Sequence, residues 1–324
     1  MLLATILQLL TLNSKFSTLN SQLSTLIMGI ISRNMCPVCN ATTIRLRLRA
    51  EDYTVSHQQF EIWECDHCSL RFTQNAPDEG SVGDFYQSEN YISHTDTQKG
   101  LINKLYHFVR KTTLKKKRRL IEQTAGLQNG TLLDIGAGTG AFAHSMQQAG
   151  WNTTGLEPDA ATRKRAADLY ALNLLDTPSL FQLPPASFDA ITMWHVLEHV
   201  HELHACIEQI KVLLKETGRA LIAVPNYTSY DAAIYQQAWA AYDVPRHLYH
   251  FSPDAIKHLL NQHGLRLLGL RPMWFDSFYI SMLSEQYKNG KNNLVKAVWI
   301  GLLSNIKAVV NRERCSSVIY VIGK

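Results

Sequence analysis

Short apolar and β-branched runs alternate with amphipathic stretches through the second half of the chain. Thr131–Ile135, Thr153–Leu156, Phe188–Met193, Arg219–Val224, Arg266–Leu270 and Val318–Ile322 each fit a buried strand, and helical periodicity fills most of the intervals. Strands that alternate with helices predict a parallel, doubly wound sheet. An insertion at about 277–313 separates the last two strands. Upstream the rhythm changes. Ile44-Arg-Leu-Arg-Leu48 alternates apolar with basic residues, and Phe60-Glu-Ile-Trp-Glu64 apolar with acidic ones, which predicts two half-buried strands of a small β unit. Between the two regions, Lys99–Gln123 turns helical, with Leu101, Leu105, Phe108, Leu114 and Ile121 on one side. Its basic run Lys115-Lys-Lys-Arg-Arg119 reads as a solvated face rather than a phosphate-binding patch.

This divides the chain into residues 1–34, 35–75, 76–129 and 130–324. The first segment carries a near-repeat, Thr11–Ser17 and Thr18–Ser24, with little to bury, and is read as outside the fold, with translation starting at Met28 or Met35. Its short apolar run lacks the basic start and small-residue cleavage site of an export signal. With 46% hydrophobic and 18% charged residues, the 324-residue chain holds enough apolar mass for a core, which excludes a disordered tail protein. No clean run of about twenty apolar residues occurs, which excludes a polytopic membrane protein. A net charge of +5 is too mild to argue for nucleic acid by itself.

Four of the six cysteines form two pairs, Cys36-Pro-Val-Cys39 and Cys65-Asp-His-Cys68, on either side of the small β unit. Two thiolate pairs on two turns supply four soft ligands to one tetrahedral structural zinc and leave no open position for catalysis. Such thiolate chemistry places the protein in a reducing, cytoplasmic compartment. His67 lies between ligands and is expected to be exposed; Cys206 and Cys315 read as ordinary small buried residues.

The strongest chemical signal is Leu132-Leu-Asp-Ile-Gly-Ala-Gly-Thr-Gly-Ala-Phe142. An apolar strand runs into Gly136, Ala137, Gly138 and Gly140, whose three glycines let the backbone turn tightly and meet a ligand without a Cβ in the way. The spacing differs from the dinucleotide fingerprint. Asp134 disfavours a pyrophosphate and favours an ammonium group. Glu157, at the end of the next strand, is placed to accept from both ribose hydroxyls.

These residues resemble the first motif and the ribose-binding acid of the class I S-adenosylmethionine-dependent methyltransferases. Phe188–Val200 resembles that family's fourth-strand segment and Leu213–Asn226 its following helix and strand. The resemblance covers about 130–275 plus the last strand. It implies a Rossmann-like, mostly parallel seven-stranded sheet behind the small zinc ribbon. It also implies a cofactor, S-adenosyl-L-methionine, held by Asp134, the glycine loop, Glu157, and Asp176 or its neighbour Leu175, with Trp194 and His195 toward the methionine end. A cysteine knuckle ahead of such a domain resembles a subgroup that includes sugar C-methyltransferases. The expected acceptor is therefore a small molecule or glycan precursor. A nucleic-acid or protein substrate and a non-catalytic binding module are the alternatives. His199, His247 and Tyr249 are the candidates for moving the acceptor's proton. The apolar stretch 294–310, interrupted by Lys296 and Lys307, is expected either to cover the sheet or a dimer surface, or to lie in a membrane interface with Trp299 as its anchor.

Overall fold

The computed structural model describes residues 29–86, 101–291 and 293–324. The expectations for residues 1–28 and for the side chains of Leu101, Leu105 and Phe108 lie outside the described residues; residues 29–34, read as outside the fold, are instead part of it, with Ile30–Ile31 in a strand and the Arg33 amide donating to Gln74 at 2.9 Å.

The N-terminal unit is built as its alternation predicts. After β1 (Ile30–Ile31), strand β2 (Ile44–Glu51) pairs antiparallel with β3 (Gln59–Cys65), and β3 pairs with β4 (Arg71–Gln74). The outward residues are charged and cross-paired, as in Arg49 with Glu61 at 2.7 Å. Strand β5 (Ala76–Pro77) pairs back onto β1.

Helix α1 (Leu101–Ala125) leads into the main sheet. There β6 (Thr131–Ile135), α2 (Ala141–Gln147), β7 (Asn152–Leu156), α3 (Ala160–Tyr170), β8 (Phe188–Trp194), α4 (Leu203–Leu213) and β9 (Leu214–Pro225) follow in turn. Asp159 starts α3 by accepting from the Thr162 amide at 2.7 Å. After α5 (Tyr230–Tyr235) and β10 (Tyr249–His250), Ser252 caps α6 (Pro253–Gln262), with proline in its first turn as predicted. Strand β11 (Arg266–Pro272), helices α7 (Asp276–Asn289) and α8 (Leu294–Val310), and β12 (Ser317–Gly323) complete the chain.

Among the described residues the main sheet has six strands in the order β11-β12-β9-β8-β6-β7, parallel from β9 to β7 and antiparallel where β12 lies between β9 and β11. The seventh strand implied by the resemblance is reduced to one parallel bridge, Leu175 to Leu156. The chain ends the pairing there because Asp176 caps a short 3-10 helix at Thr177–Gln182. Every residue of β12 is buried, as a strand covered on both faces requires.

The cysteine unit and the main sheet share one core. Strand β10 joins β4, so the small sheet runs β10-β4-β3-β2, and Leu70 and Phe72 cluster with Leu248, Tyr249 and Phe251. Buried Arg246 pairs with Asp52 at 3.1 Å and with Asp243 at 2.7 Å. The inserted helices pack closely: a Cβ on Gly301 would stand 2.8 Å from the Phe278 ring and 3.0 Å from its Cα. Asp231 ties them down, accepting from Trp239, Ser304 and Ser316. The outer face of α8 is apolar, with Val295, Val298, Trp299, Ile306, Val309 and Val310 exposed. No helix among the described residues is long and apolar enough to cross a membrane.

Candidate active site

Strand β6 delivers the glycine loop to the carboxyl edge of the sheet. The amides of Gly136 and Ala137 both donate to the Leu156 carbonyl at 2.8 Å, so the loop is fastened to the end of β7. Gly136, Gly138 and Gly140 have φ of +74°, +56° and +77°, a region that glycine enters readily. Their surroundings differ. A Cβ on Gly136 would strike Val196 at 2.3 Å, whereas a Cβ on Gly138 would meet nothing within 4 Å. Gly138 thus presents bare backbone to an open cradle. Glu157 borders it, accepting from the Gly138 amide at 2.9 Å and the Asp159 amide at 3.1 Å. Burial pushes its carboxyl upward, against the pull of those two amides.

Asp134 lies under the loop, 1% exposed, accepting from the Thr192 hydroxyl at 2.7 Å. Burial raises its pKa to about 6, although Thr192 and Lys117 pull the other way. The basic run of α1 reads as a solvated face, yet the structure turns Lys117 inward, its Nζ 4.1 Å from the centre of the Trp194 ring and near Asp134 and Asp276. Burial lowers its pKa to about 8 against the attraction of both carboxylates. Among the described residues the buried indole N–H of Trp194 has no hydrogen-bond partner, and its ring meets Phe142 edge-on at 5.6 Å. Nothing in the spacing of five consecutive basic residues singles out Lys117; only the packing of α1 against the sheet does.

His195 sits just past β8 with φ +58°. Its Nε2 lies 3.0 Å from Asp276, at the start of α7, and its Nδ1 3.4 Å from Glu198. Burial opposes its charging, but Asp276 and Glu198 outweigh that and raise its pKa to about 10. Its ring is therefore engaged by two carboxylates, and no local sequence signal marks either partner. Asp176 is exposed, and its carboxylate is taken up by the Ser179 amide and hydroxyl. Its neighbour Leu175 lies beside Glu157, whose amide donates to the Leu175 carbonyl at 2.9 Å.

The histidine candidates separate. His199 and His247 come together, ring centres 4.5 Å apart and nearly perpendicular. His199 Nδ1 lies 3.0 Å from the Arg246 carbonyl and 3.1 Å from the Tyr86 hydroxyl, and His247 Nδ1 lies 2.9 Å from the Ala241 carbonyl. Burial and the neighbouring His247 lower the His199 pKa to about 4. Glu198, fully buried, completes the group. Tyr249 does not join it: its hydroxyl contacts Arg33 and the His201 carbonyl, each at 3.2 Å, and it lines a groove of about 470 Å³ with Ile31, Arg33 and Pro37.

The four predicted cysteine ligands converge. Cys36 and Cys68 sulfurs lie 3.5 Å apart, as do those of Cys39 and Cys65, and all four lie within 4.8 Å of one another. That is far beyond a disulfide bond of about 2.05 Å. It approaches the edge of about 3.8 Å expected for four sulfurs around zinc at about 2.3 Å. The Cys36 thiol is pushed down to about 5, chiefly by the Cys68 thiol. Cys206 and Cys315 are buried and His67 exposed, as expected.

A family model described as a methyltransferase domain matches residues 106–270. Among curated relatives, the ubiquinone biosynthesis O-methyltransferase of Cupriavidus pinatubonensis (strain JMP 134 / LMG 1197) is 25% identical over 171 residues, 48% of this chain and 68% of that one. Its counterpart in Rhodopseudomonas palustris (strain BisB5) is 28% identical over 171 residues, 50% of this chain and 67% of that one. A solved SAM-dependent methyltransferase from Archaeoglobus fulgidus superposes with a TM-score of 0.46 at 19% identity, covering 66% of this chain and 94% of its own.

Proposed function

The chain belongs to the methyltransferase-domain family, and from that premise we propose that it methylates a hydroxyl oxygen of a small-molecule acceptor held over Glu198, His199 and His247. The enzyme depends on S-adenosylmethionine, which supplies a methyl group on a positively charged sulfur. A glycan precursor fits the description of the acceptor, and the similar proteins named O-methyltransferases support oxygen as the acceptor atom.

The observation that carries the reading is the pairing of an open backbone cradle at Gly138 with a carboxylate, Glu157, fixed at its rim. Glu157 is placed to accept from the sugar hydroxyls of a nucleoside. Lys117 offers a cation to the carboxylate of the amino-acid end, and Asp134 an anion to its ammonium group. Trp194, edge-on to Phe142, forms an aromatic wall beside them. On the acceptor side, His199 and His247 each turn one ring nitrogen to a main-chain carbonyl, which leaves Nε2 free to receive the hydroxyl proton as oxygen attacks. The rest of the catalysis is proximity and orientation. The four cysteines fit a structural zinc that stiffens the unit packed against β10.

Calorimetry with S-adenosylmethionine, followed by incubation with methyl-labelled cofactor and fractionated small polar molecules and lipids, tests this. Binding that weakens in Glu157→Ala, and label entering a hydroxylated small molecule, is the expected outcome. Label entering only protein or nucleic acid would refute it.

A further inference from the structure

We propose that Glu198, His199 and His247 form a second metal centre, which binds one divalent cation of the zinc, cobalt or manganese class. The proposal deepens the acceptor-site reading above and rests on it for the role of the ion.

The two imidazoles are already oriented as ligands. A carbonyl oxygen accepts only, so the contact from His199 Nδ1 to the Arg246 carbonyl at 3.0 Å and that from His247 Nδ1 to the Ala241 carbonyl at 2.9 Å place the ring proton on Nδ1 in each case. Nε2 then carries a lone pair. For His247 that atom stands 3.8 Å from the Asp243 carboxylate, too far for a hydrogen bond. Anchoring the second nitrogen of a histidine on a main-chain carbonyl is how ligating histidines are held in their tautomer.

Glu198 supplies the third donor. It is 0% exposed, and neither of its carboxylate oxygens has a hydrogen-bond partner among the described residues. Asp52 accepts from the Thr54 and Ser56 amides and hydroxyls, Asp231 from Trp239, Ser304 and Ser316, and the buried Glu285 is met by Lys296 at 2.8 Å. Leaving a carboxylate bare in the interior is costly unless a cation meets it. His195 meets one oxygen at 3.4 Å while shared with Asp276 at 3.0 Å, which leaves the second oxygen without a partner among the described residues, and Arg246 is committed to Asp52, Asp243 and the Phe85 carbonyl.

One ring nitrogen from each histidine and one Glu198 oxygen lie within 4.8 Å of one another. A tetrahedral ion with bonds of about 2.0–2.2 Å needs edges of roughly 3.4 Å, a contraction within the reach of side-chain rotation. Two nitrogens and one carboxylate leave an open position, unlike the closed four-cysteine centre. With the ion bound, both Nε2 lone pairs are occupied and the histidines no longer receive the proton; an acceptor hydroxyl at the open position would release it to solvent more readily than in water.

The test is cobalt(II) binding to the full chain by equilibrium dialysis, read by metal content and by absorption. The thiolate centre gives sulfur-to-cobalt charge transfer and the proposed centre gives only weaker ligand-field bands, so the two are counted separately. Two equivalents are expected in the wild type. The band without sulfur character should be lost in Glu198→Gln and in His247→Ala, with affinity down by about tenfold or more, while calorimetric binding of S-adenosylmethionine persists as the check on folding. A wild type that binds only the thiolate equivalent, or folded variants that both keep the second, would overturn the proposal. Methyl transfer assayed on the same samples separates the two readings. One cobalt with methylation intact ends the cation and spares the acceptor reading; two cobalts with no small-molecule methylation does the reverse.

Discussion

Replacing Gly138 by alanine separates the cradle from the fold. At φ +56° the left-handed conformation costs an L-residue about 1–2 kcal/mol. No steric term adds to it, because the new Cβ meets nothing within 4 Å. In a domain of this size that lowers Tm by only a few degrees, at about 2–4 °C per kcal/mol. The same methyl would stand where the cofactor must approach bare backbone, so affinity for S-adenosylmethionine should fall by about tenfold or more. Gly136→Ala is the control. It carries the same conformational cost plus a contact of 2.3 Å with Val196, so its loss is in stability, partly restored by Val196→Ala. Thermal melts without ligand and calorimetric titrations with S-adenosylmethionine measure the two effects. A Gly138→Ala protein that binds the cofactor as tightly as wild type would refute the assignment of the cradle.

Further expectations follow from the same geometry. Asp134 has its pKa raised to about 6 from 3.8, so the folded state holds its proton more tightly than the unfolded chain does. The penalty is absent below about pH 4, grows as pH rises toward 6 and then stays at roughly 3 kcal/mol. Asp134→Asn should accordingly raise the apo Tm at pH 8 but not at pH 4, and a pH-independent difference would contradict that burial. Lys117→Met should weaken S-adenosylmethionine binding about tenfold by removing a charge-assisted contact; unchanged affinity would return Lys117 to a structural role. Chelation that strips the four-cysteine centre should release one zinc per centre and lower Tm by several degrees, because that unit shares its core with Leu248, Tyr249 and Phe251. Flotation with vesicles containing anionic lipid separates the two readings of α8: an interfacial helix carries the protein upward and loses this in Val295→Glu with Trp299→Glu, whereas a helix that covers the sheet or a dimer surface leaves the protein at the bottom.

Features that depend on near neighbours along the chain are legible in the sequence alone. An apolar strand entering three closely spaced glycines, an acid at the end of the next strand, paired cysteines on two turns and a serine-proline helix start are all specified within a few residues, where backbone geometry and capping act. Two strands of the small β unit and all six main strands are legible for the same reason, since burial on a face imposes its period on the local sequence. The seventh strand is implied by resemblance alone, and local capping by Asp176 replaces it with a single bridge.

Contacts across long separations are decided by the fold. Arg246 meets Asp52 from 194 residues away, Asp276 of the insertion reaches His195, and α1 turns one lysine inward from its basic run. Sequence alone determined which residue types were available and the elements that carry them. Only tertiary packing determined that His199 and His247 close on Glu198 while Tyr249 turns toward Arg33, because partners that far apart are chosen by how whole elements dock and not by any preference encoded beside them.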